Sequence, residues 1–161
     1  MSTNAERPGY WDIIIAFIRE GHRAWKERGV ASAVEVEQTL GLSPMEGIRF
    51  VQYLEQRELI EQDRAVNSLG YYHLAPQGLA FAEGLPSLDH VLAAQTAVIV
   101  KAQGRSDAEK KTAMVTIRET LLKNAVERGI DWTVKNWPML YNVARSQFPW
   151  LPPLPSGEIP L

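Results

Sequence analysis

The chain has 161 residues, of which 45% are apolar and 22% are charged, and its formal net charge is −2. These values are typical of one or two globular domains, and they exclude a disordered chain, a collagen-like chain and a strongly basic nucleic-acid binder. Because the sequence contains no cysteine, disulfide frameworks, thiol nucleophiles, cysteine zinc sites and iron–sulfur clusters are excluded too.

The longest apolar run without a charge, residues 91–100, is too short to cross a bilayer, which takes about 20 residues. The first ten residues lack the basic and then apolar layout of a secretory signal. We therefore expect a cytoplasmic protein that does not associate with membranes.

The N-terminal part of the sequence predicts a helix followed by a helix-turn-helix. Apolar residues recur at intervals of three and four over residues 8–28, which indicates a first helix with Trp11 and Trp25 in its core stripe. Two capping-box patterns, SAVE and SPME, then begin at Ser32 and Ser43 and predict helices over residues 33–40 and 44–57. Gly41 suits the tight turn between them.

Two strand-like stretches follow, at residues 59–66 and 71–74, and they flank a turn rich in Asn, Ser and Gly. This pattern predicts a β-hairpin, after which Pro76 begins a helix that ends near Gly84. We expect a mainly α fold with a small β-hairpin wing.

The order of these elements resembles a winged helix-turn-helix domain of the MarR and PadR type. Residues 54–60 (LEQRELI) are similar to the end of that family's recognition helix, and residues 72–78 (YHLAPQG) resemble its "Leu-Thr-Pro-x-Gly" segment. Glu58 and Ala75 depart from the family's usual glycine and threonine. The resemblance covers about residues 8–84 and implies a dimeric, DNA-binding transcription regulator.

In such a domain the helix at residues 44–57 would lie in the major groove, with Ile48, Val51 and Leu54 turned inward. Arginine and glutamine side chains are suited to contacts with guanine and adenine, and basic side chains to contacts with phosphates. The candidate DNA-binding residues are Met45, Arg49, Gln52, Tyr53 and Gln56 on the helix, Arg57 at its end and Arg64 in the wing.

The charge distribution favours a different function. Residues 1–84 contain eight Lys or Arg and twelve Asp or Glu, a net charge of −4, whereas neutralisation of phosphates supplies most of the affinity for DNA. The alternative is an acidic winged-helix adaptor that joins a multi-protein assembly without direct DNA binding. The sequence leaves both interpretations open.

The C-terminal half resembles no family. We expect an apolar helix over residues 88–102 with Ser87 as its cap, a helix over 106–128, and a last helix that begins at Asp131 or Asn136. Pro138 marks either a first helical turn or a kink. The predicted organisation is a winged helix-turn-helix domain at 1–84, a helical region at 85–147 and a proline-rich tail at 148–161. The two long helices form either a homodimer interface or packing within one monomer.

Aromatic residues cluster near the tail, at Trp132, Trp137, Phe148 and Trp150. They form either a local core over which the tail folds or an exposed surface that binds a protein partner. We favour the local core.

Catalysis is not expected. His22, His73 and His90 are far apart in sequence, no Gly-rich phosphate loop or nucleophile elbow is present, and the candidate serines are accounted for as helix caps. We predict neither a metal nor a cofactor, although a small apolar ligand between the domains stays open.

Overall fold

The computed structural model describes residues 8–63 and 70–153. Over these residues the protein is 73% helical, with seven α-helices and one three-stranded antiparallel sheet, which confirms the predicted mainly α fold with a small β element. The chain forms two compact units that divide between Glu83 and Gly84.

Three helices of the first unit lie where apolar periodicity and capping patterns predict them. They are α1 (Tyr10–Lys26), α2 (Ala33–Leu40) and α3 (Pro44–Gln56). The Ser32 hydroxyl accepts from the backbone N–H of Glu35, and Ser43 and Glu46 form a complete capping box. Gly41 has φ +68° and ends α2 in the left-handed region, as a tight turn into α3 requires.

The sheet of the first unit contains β1 (Ala31–Ser32), β2 (Ile60–Gln62) and β3 (Tyr71–Leu74), in the order β1-β3-β2. The predicted pair β2 and β3 is antiparallel, with Glu61 opposite His73, whereas β1 is an additional strand of only two residues. Tyr72, on the central strand, is fully buried and donates its hydroxyl hydrogen to the Phe17 carbonyl of α1 at 2.6 Å. This bond ties the sheet to the helix beneath it.

The predicted core position of Trp25 is wrong, since 51% of this residue is exposed and its ring stacks on His22. The buried face of α1 instead continues through Gly21 and Ala24. A Cβ on Gly21 would lie 2.7 Å from the Leu74 side chain, so the sheet approaches α1 too closely there for a large residue.

The predicted helix break at residues 84–87 is also wrong. One helix, α4 (Pro76–Val100), runs through Pro86, and Ser87 lies inside it rather than at a cap. A proline removes one backbone donor from a helix. Here the apolar neighbours Leu85 and Leu88 are buried on either side of it, so packing outweighs the lost hydrogen bond.

The remaining helices of the second unit are α5 (Asp107–Arg128), α6 (Ile130–Lys135) and α7 (Trp137–Gln147). Ser106 caps α5 as predicted, and Gly129, with φ +93°, separates α5 from α6. Pro138 lies in the first turn of α7. Of the two predicted alternatives, it therefore begins a separate helix and does not kink a longer one.

The first residues of the predicted tail pack on α7. Leu151 is 1% exposed, the Tyr141 hydroxyl donates to the Pro152 carbonyl at 2.6 Å, and Arg145 Nε donates to the Leu151 carbonyl at 3.0 Å. Residues 154–161 of that predicted tail lie outside the described residues.

Candidate nucleic-acid interface

The helix α3 presents one face to its own unit and the opposite face to solvent. Its buried side is formed by Gly47, Phe50, Val51 and Leu54. Since successive residues of an α-helix are 100° apart, the opposite sector carries another set. Those exposed residues are Met45, Ile48, Arg49, Gln52 and Gln56.

Ile48 is exposed rather than buried as predicted, because α3 turns Gly47 toward α2 instead. The buried residues of α3 form a stripe that begins at Gly47. Glu37 of α2 lies directly against the helix, and a Cβ on Gly47 would be 1.9 Å from Glu37 Oε1. The stripe therefore centres on Gly47 and Phe50 rather than on Ile48, which is 51% exposed. A glycine at this position of the helix is the sequence feature that permits this close approach.

Glu37 itself is a buried carboxyl group with 9% of the residue exposed. Burial raises the pKa of this carboxyl above its ordinary value, because the charged form loses hydration. The group acts as a close contact between α2 and α3.

Tyr53 is half-buried rather than outward-facing, which corrects its predicted place on the exposed face. Its ring lies 6.1 Å from that of Tyr10, and its hydroxyl is buried without a hydrogen-bond partner among the described residues. The guanidinium of Arg57 lies 5.4 Å from the Tyr53 ring, within the range of a cation–π contact. Arg57 is therefore held at the end of α3.

The other predicted phosphate contact, Arg64, lies outside the described residues. Of the seven candidate DNA-binding residues, the exposed sector of α3 brings together Met45, Arg49, Gln52 and Gln56.

Several acidic side chains of the first unit are engaged away from this sector. Glu20 and Glu27 both pair with Arg23 on α1, and Glu61 pairs with His73 across β2 and β3 at 3.0 Å. Glu46 accepts from the Ser43 backbone N–H at the start of α3. The exposed sector itself contains one charged residue, Arg49.

The aromatic cluster near the tail is a local core at its centre. Trp137 is fully buried, so it lies in that core rather than on an exposed surface. The other three members are half-buried: Phe148 and Trp150 have ring centroids 6.3 Å apart, and Trp132 lies under Arg128 at 4.6 Å. The ring of Trp137 lies 6.0 Å from that of Tyr141, which is buried as well.

Other kinds of site were sought in the described part of the chain. No group of three or more His, Asp or Glu side chains there could hold a metal ion. None of the helices described is long and apolar enough to cross a membrane.

The sequence matches no protein-family model, and no curated protein is significantly similar to it.

Proposed function

We propose that the protein is a winged helix-turn-helix transcription regulator that binds duplex DNA through the exposed sector of α3. The observation that carries the proposal is the composition of this sector, where Arg49, Gln52 and Gln56 are all exposed on α3, the helix that follows α2 after a tight turn. A helix of this kind fits the major groove.

The chemistry of the sector matches what base edges present in that groove. Arginine forms bidentate hydrogen bonds with guanine, glutamine does so with adenine, and apolar side chains contact the thymine methyl group. Met45 and Ile48, which are 62% and 51% exposed, supply the apolar contacts beside the three polar side chains.

The net charge of −4 on residues 1–84 overstates the repulsion that DNA would meet at the exposed sector of α3. The acids that pair with Arg23 and His73 or cap α3 do not belong to the exposed sector. Arg49 gives the exposed sector its positive charge. Arg57, at the end of α3, would contact a phosphate. We expect modest affinity that falls steeply with salt.

The proposal includes a homodimer, because two recognition helices one helical turn of DNA apart read a palindromic site. Sedimentation equilibrium of the full chain with and without DNA tests this part separately.

The test is a selection from random-sequence duplexes at low salt, followed by fluorescence anisotropy with the enriched duplex. We expect one enriched motif with two symmetric halves. Arg49→Ala should weaken binding by about 1–3 kcal/mol and relax the preference at one base position. Gln52→Ala should relax a neighbouring position.

Lys26→Ala, which removes an exposed cation from the last turn of α1, is the matched control. It should leave the base preference unchanged. Recovery of no motif, or equal losses in Arg49→Ala and Lys26→Ala, would contradict DNA reading by α3.

A second candidate, a protein-docking adaptor, is favoured by the exposure of Met45 and Ile48 on the same sector. Large apolar side chains near the centre of an interface often carry much of its binding energy. In that case Ile48→Ala would release a co-purifying protein from an extract of the native host, Arg49→Ala would have a smaller effect, and the duplex selection would yield no motif.

A further inference from the structure

The second unit contains a groove between α4 and α5 that opens to solvent. Its volume is about 220 Å³, and its apolar walls include Leu92 and Ile99 of α4 and Met114 and Ile117 of α5. Val115 also lines the groove and is 47% exposed, so it lies at the rim. Because an apolar cavity of about 150 Å³ holds a benzene molecule, this groove has room for an aliphatic side chain and the backbone beside it.

One polar atom in the wall of the groove needs a hydrogen-bond donor. Gln95 is only 4% exposed, and its Oε1 atom has no hydrogen-bond partner among the described residues. Lys111 and Arg118 line the groove too, but both have interactions of their own. The groove therefore offers an occupant apolar contacts and one acceptor. Since buried polar atoms are nearly always hydrogen bonded, we expect the donor for Gln95 Oε1 to come from outside the described part of the chain.

Residues 154–161 have the composition that this groove requires. Of the three stretches outside the described residues, 1–7, 64–69 and 154–161, only the last belongs to the compact unit that contains the groove. Its sequence, LPSGEIPL, combines aliphatic residues with two prolines. A proline-rich extended segment makes no hydrogen bonds within itself, so its backbone N–H groups need partners elsewhere. Such a segment supplies both an aliphatic side chain and a donor.

The chain before this segment lies near one end of the groove. The ring of Trp150 is 5.5 Å from the guanidinium of Arg105, which directly precedes α5. The groove begins on α5 at Lys111, four residues or about 6 Å after the helix starts at Asp107. Eight extended residues span about 26 Å, so residues 154–161 are long enough to reach the groove and to lie along it.

We propose that residues 154–161 fill this groove of their own chain. The side chain of Ile159 lies among the apolar residues of α4 and α5, and a backbone N–H of the segment donates to Gln95 Oε1. A groove of this volume takes a short segment, whereas a stable interface with a second copy buries more than about 1,000 Å². The tether also keeps the segment at a high local concentration. This docking occurs within the second unit and does not depend on DNA binding by α3.

Oxidation of methionine by hydrogen peroxide, followed by mass spectrometry of the full chain, tests whether the groove is covered. Met114 lines the groove, whereas Met45 is 62% exposed in the first unit and serves as the internal reference. Ile159→Asp should release the segment and raise the oxidation rate of Met114 by severalfold, with no change at Met45. Ser156→Asp adds the same charge at a polar residue of the segment and should leave both rates unchanged.

Gln95→Leu removes the acceptor while it keeps an apolar wall, so it should also raise the oxidation rate of Met114. A wild-type rate in this variant would contradict the assignment of a donor from the segment to Gln95 Oε1. An unchanged rate in Ile159→Asp, or equal effects of Ile159→Asp and Ser156→Asp, would overturn the docking itself.

Introduced cysteines test the position of the segment directly, because the sequence contains none of its own. Val115→Cys at the rim, combined with Pro160→Cys, should form a disulfide within one chain under mild oxidation, which requires Cα atoms within about 7 Å of each other. Lys123→Cys, at an exposed residue about 12 Å further along α5, should form one with Pro160→Cys far more slowly. Equal rates for the two pairs would overturn the proposal. A disulfide that joins two chains only would assign the groove to a second copy and overturn it as well.

Discussion

The backbone carbonyl oxygen of Leu59 occupies the space that a side chain on Gly78 would need. A Cβ on Gly78 would lie 1.8 Å from this oxygen, which also accepts the Ala75 backbone N–H at 3.0 Å. The residue just before β2 therefore touches the first turn of α4 backbone to backbone. This contact gives a physical reason for glycine at the end of the YHLAPQG segment.

We expect Gly78→Ala to destabilise the protein by about 3 kcal/mol, because the methyl group cannot be accommodated without separating these two backbone segments. The obstacle is main chain, so no rotation of a side chain can relieve it. Chemical denaturation monitored by circular dichroism measures the change.

Gly29→Ala is the matched control, since a Cβ there meets nothing closer than 3.9 Å. It should change the free energy of unfolding by no more than about 0.5 kcal/mol. Equal effects at the two positions would contradict the steric account of Gly78.

Glu58 precedes Leu59 in the turn that follows α3. Its φ is +58°, in the left-handed region, at a position where glycine is usual. Its backbone N–H donates to the Glu55 carbonyl, and that of Leu59 donates to the Leu54 carbonyl, which is the Schellman arrangement. The left-handed conformation disfavours a residue with a Cβ by about 1–2 kcal/mol.

Glu58→Gly should therefore raise the free energy of unfolding by about 0.5–1 kcal/mol, after allowance for the greater freedom of glycine in the unfolded chain. Glu58→Ala keeps the Cβ and removes the hydrogen bond from Gln77 Nε2 to Glu58 Oε2 at 3.2 Å, so it should be slightly destabilising. Thermal and urea unfolding of both variants separate the two effects. A glycine variant less stable than the alanine variant would show that the relief of backbone strain is smaller than the entropy that glycine adds to the unfolded chain.

Local features of the fold could be predicted from the sequence, whereas packing between distant segments could not. Helix starts depend on neighbours three residues away, so Ser32, Ser43 and Ser106 are predictable as caps without any tertiary information. The helix break predicted near Pro86 is wrong because burial of the residues beside the proline is decided by the fold and not by the local segment.

The candidate interface is predictable only in part, for the same reason. The polar residues Arg49, Gln52 and Gln56 follow from helical spacing, and their exposure agrees with it. The rotation of α3 that exposes Ile48 depends on the contact between Glu37 and Gly47. That contact is between α2 and α3, so the spacing of apolar residues within α3 alone cannot predict it.

Glu37 should make stability depend on pH. Burial raises the pKa of its carboxyl group above the ordinary value of 4.5. The folded state thus favours the neutral form, and this contribution to stability is complete below pH 4.5 and is lost as the pH rises through the folded pKa.

Glu37→Gln should consequently be more stable than the wild type at pH 7, and the difference should shrink toward zero below about pH 4. Urea unfolding across this pH range measures it. Glu35→Gln, which removes an exposed carboxyl from the same helix, controls for the loss of one negative charge. A difference between Glu37→Gln and the wild type that is equal at both ends of the pH range would contradict the assignment to burial.

Tyr141→Phe should loosen the segment that follows α7. The Tyr141 hydroxyl donates to the Pro152 carbonyl at 2.6 Å, and burial raises the pKa of that hydroxyl. The hydrogen bond is therefore present below the ordinary pKa of about 10 and is lost as the pH rises through the folded value.

We expect the variant to lose about 1 kcal/mol of stability and to show faster hydrogen exchange at the Leu151 amide, which donates to the Phe148 carbonyl at 2.9 Å. Tyr71→Phe, at a residue that is 38% exposed on β3, should leave that exchange rate unchanged. Since Arg145 also holds the Leu151 carbonyl, Arg145→Ala should accelerate the same amide, and the double variant should exceed either single change. Wild-type exchange at Leu151 in Tyr141→Phe would mean that the burial of its side chain, rather than these two hydrogen bonds, holds the segment on α7.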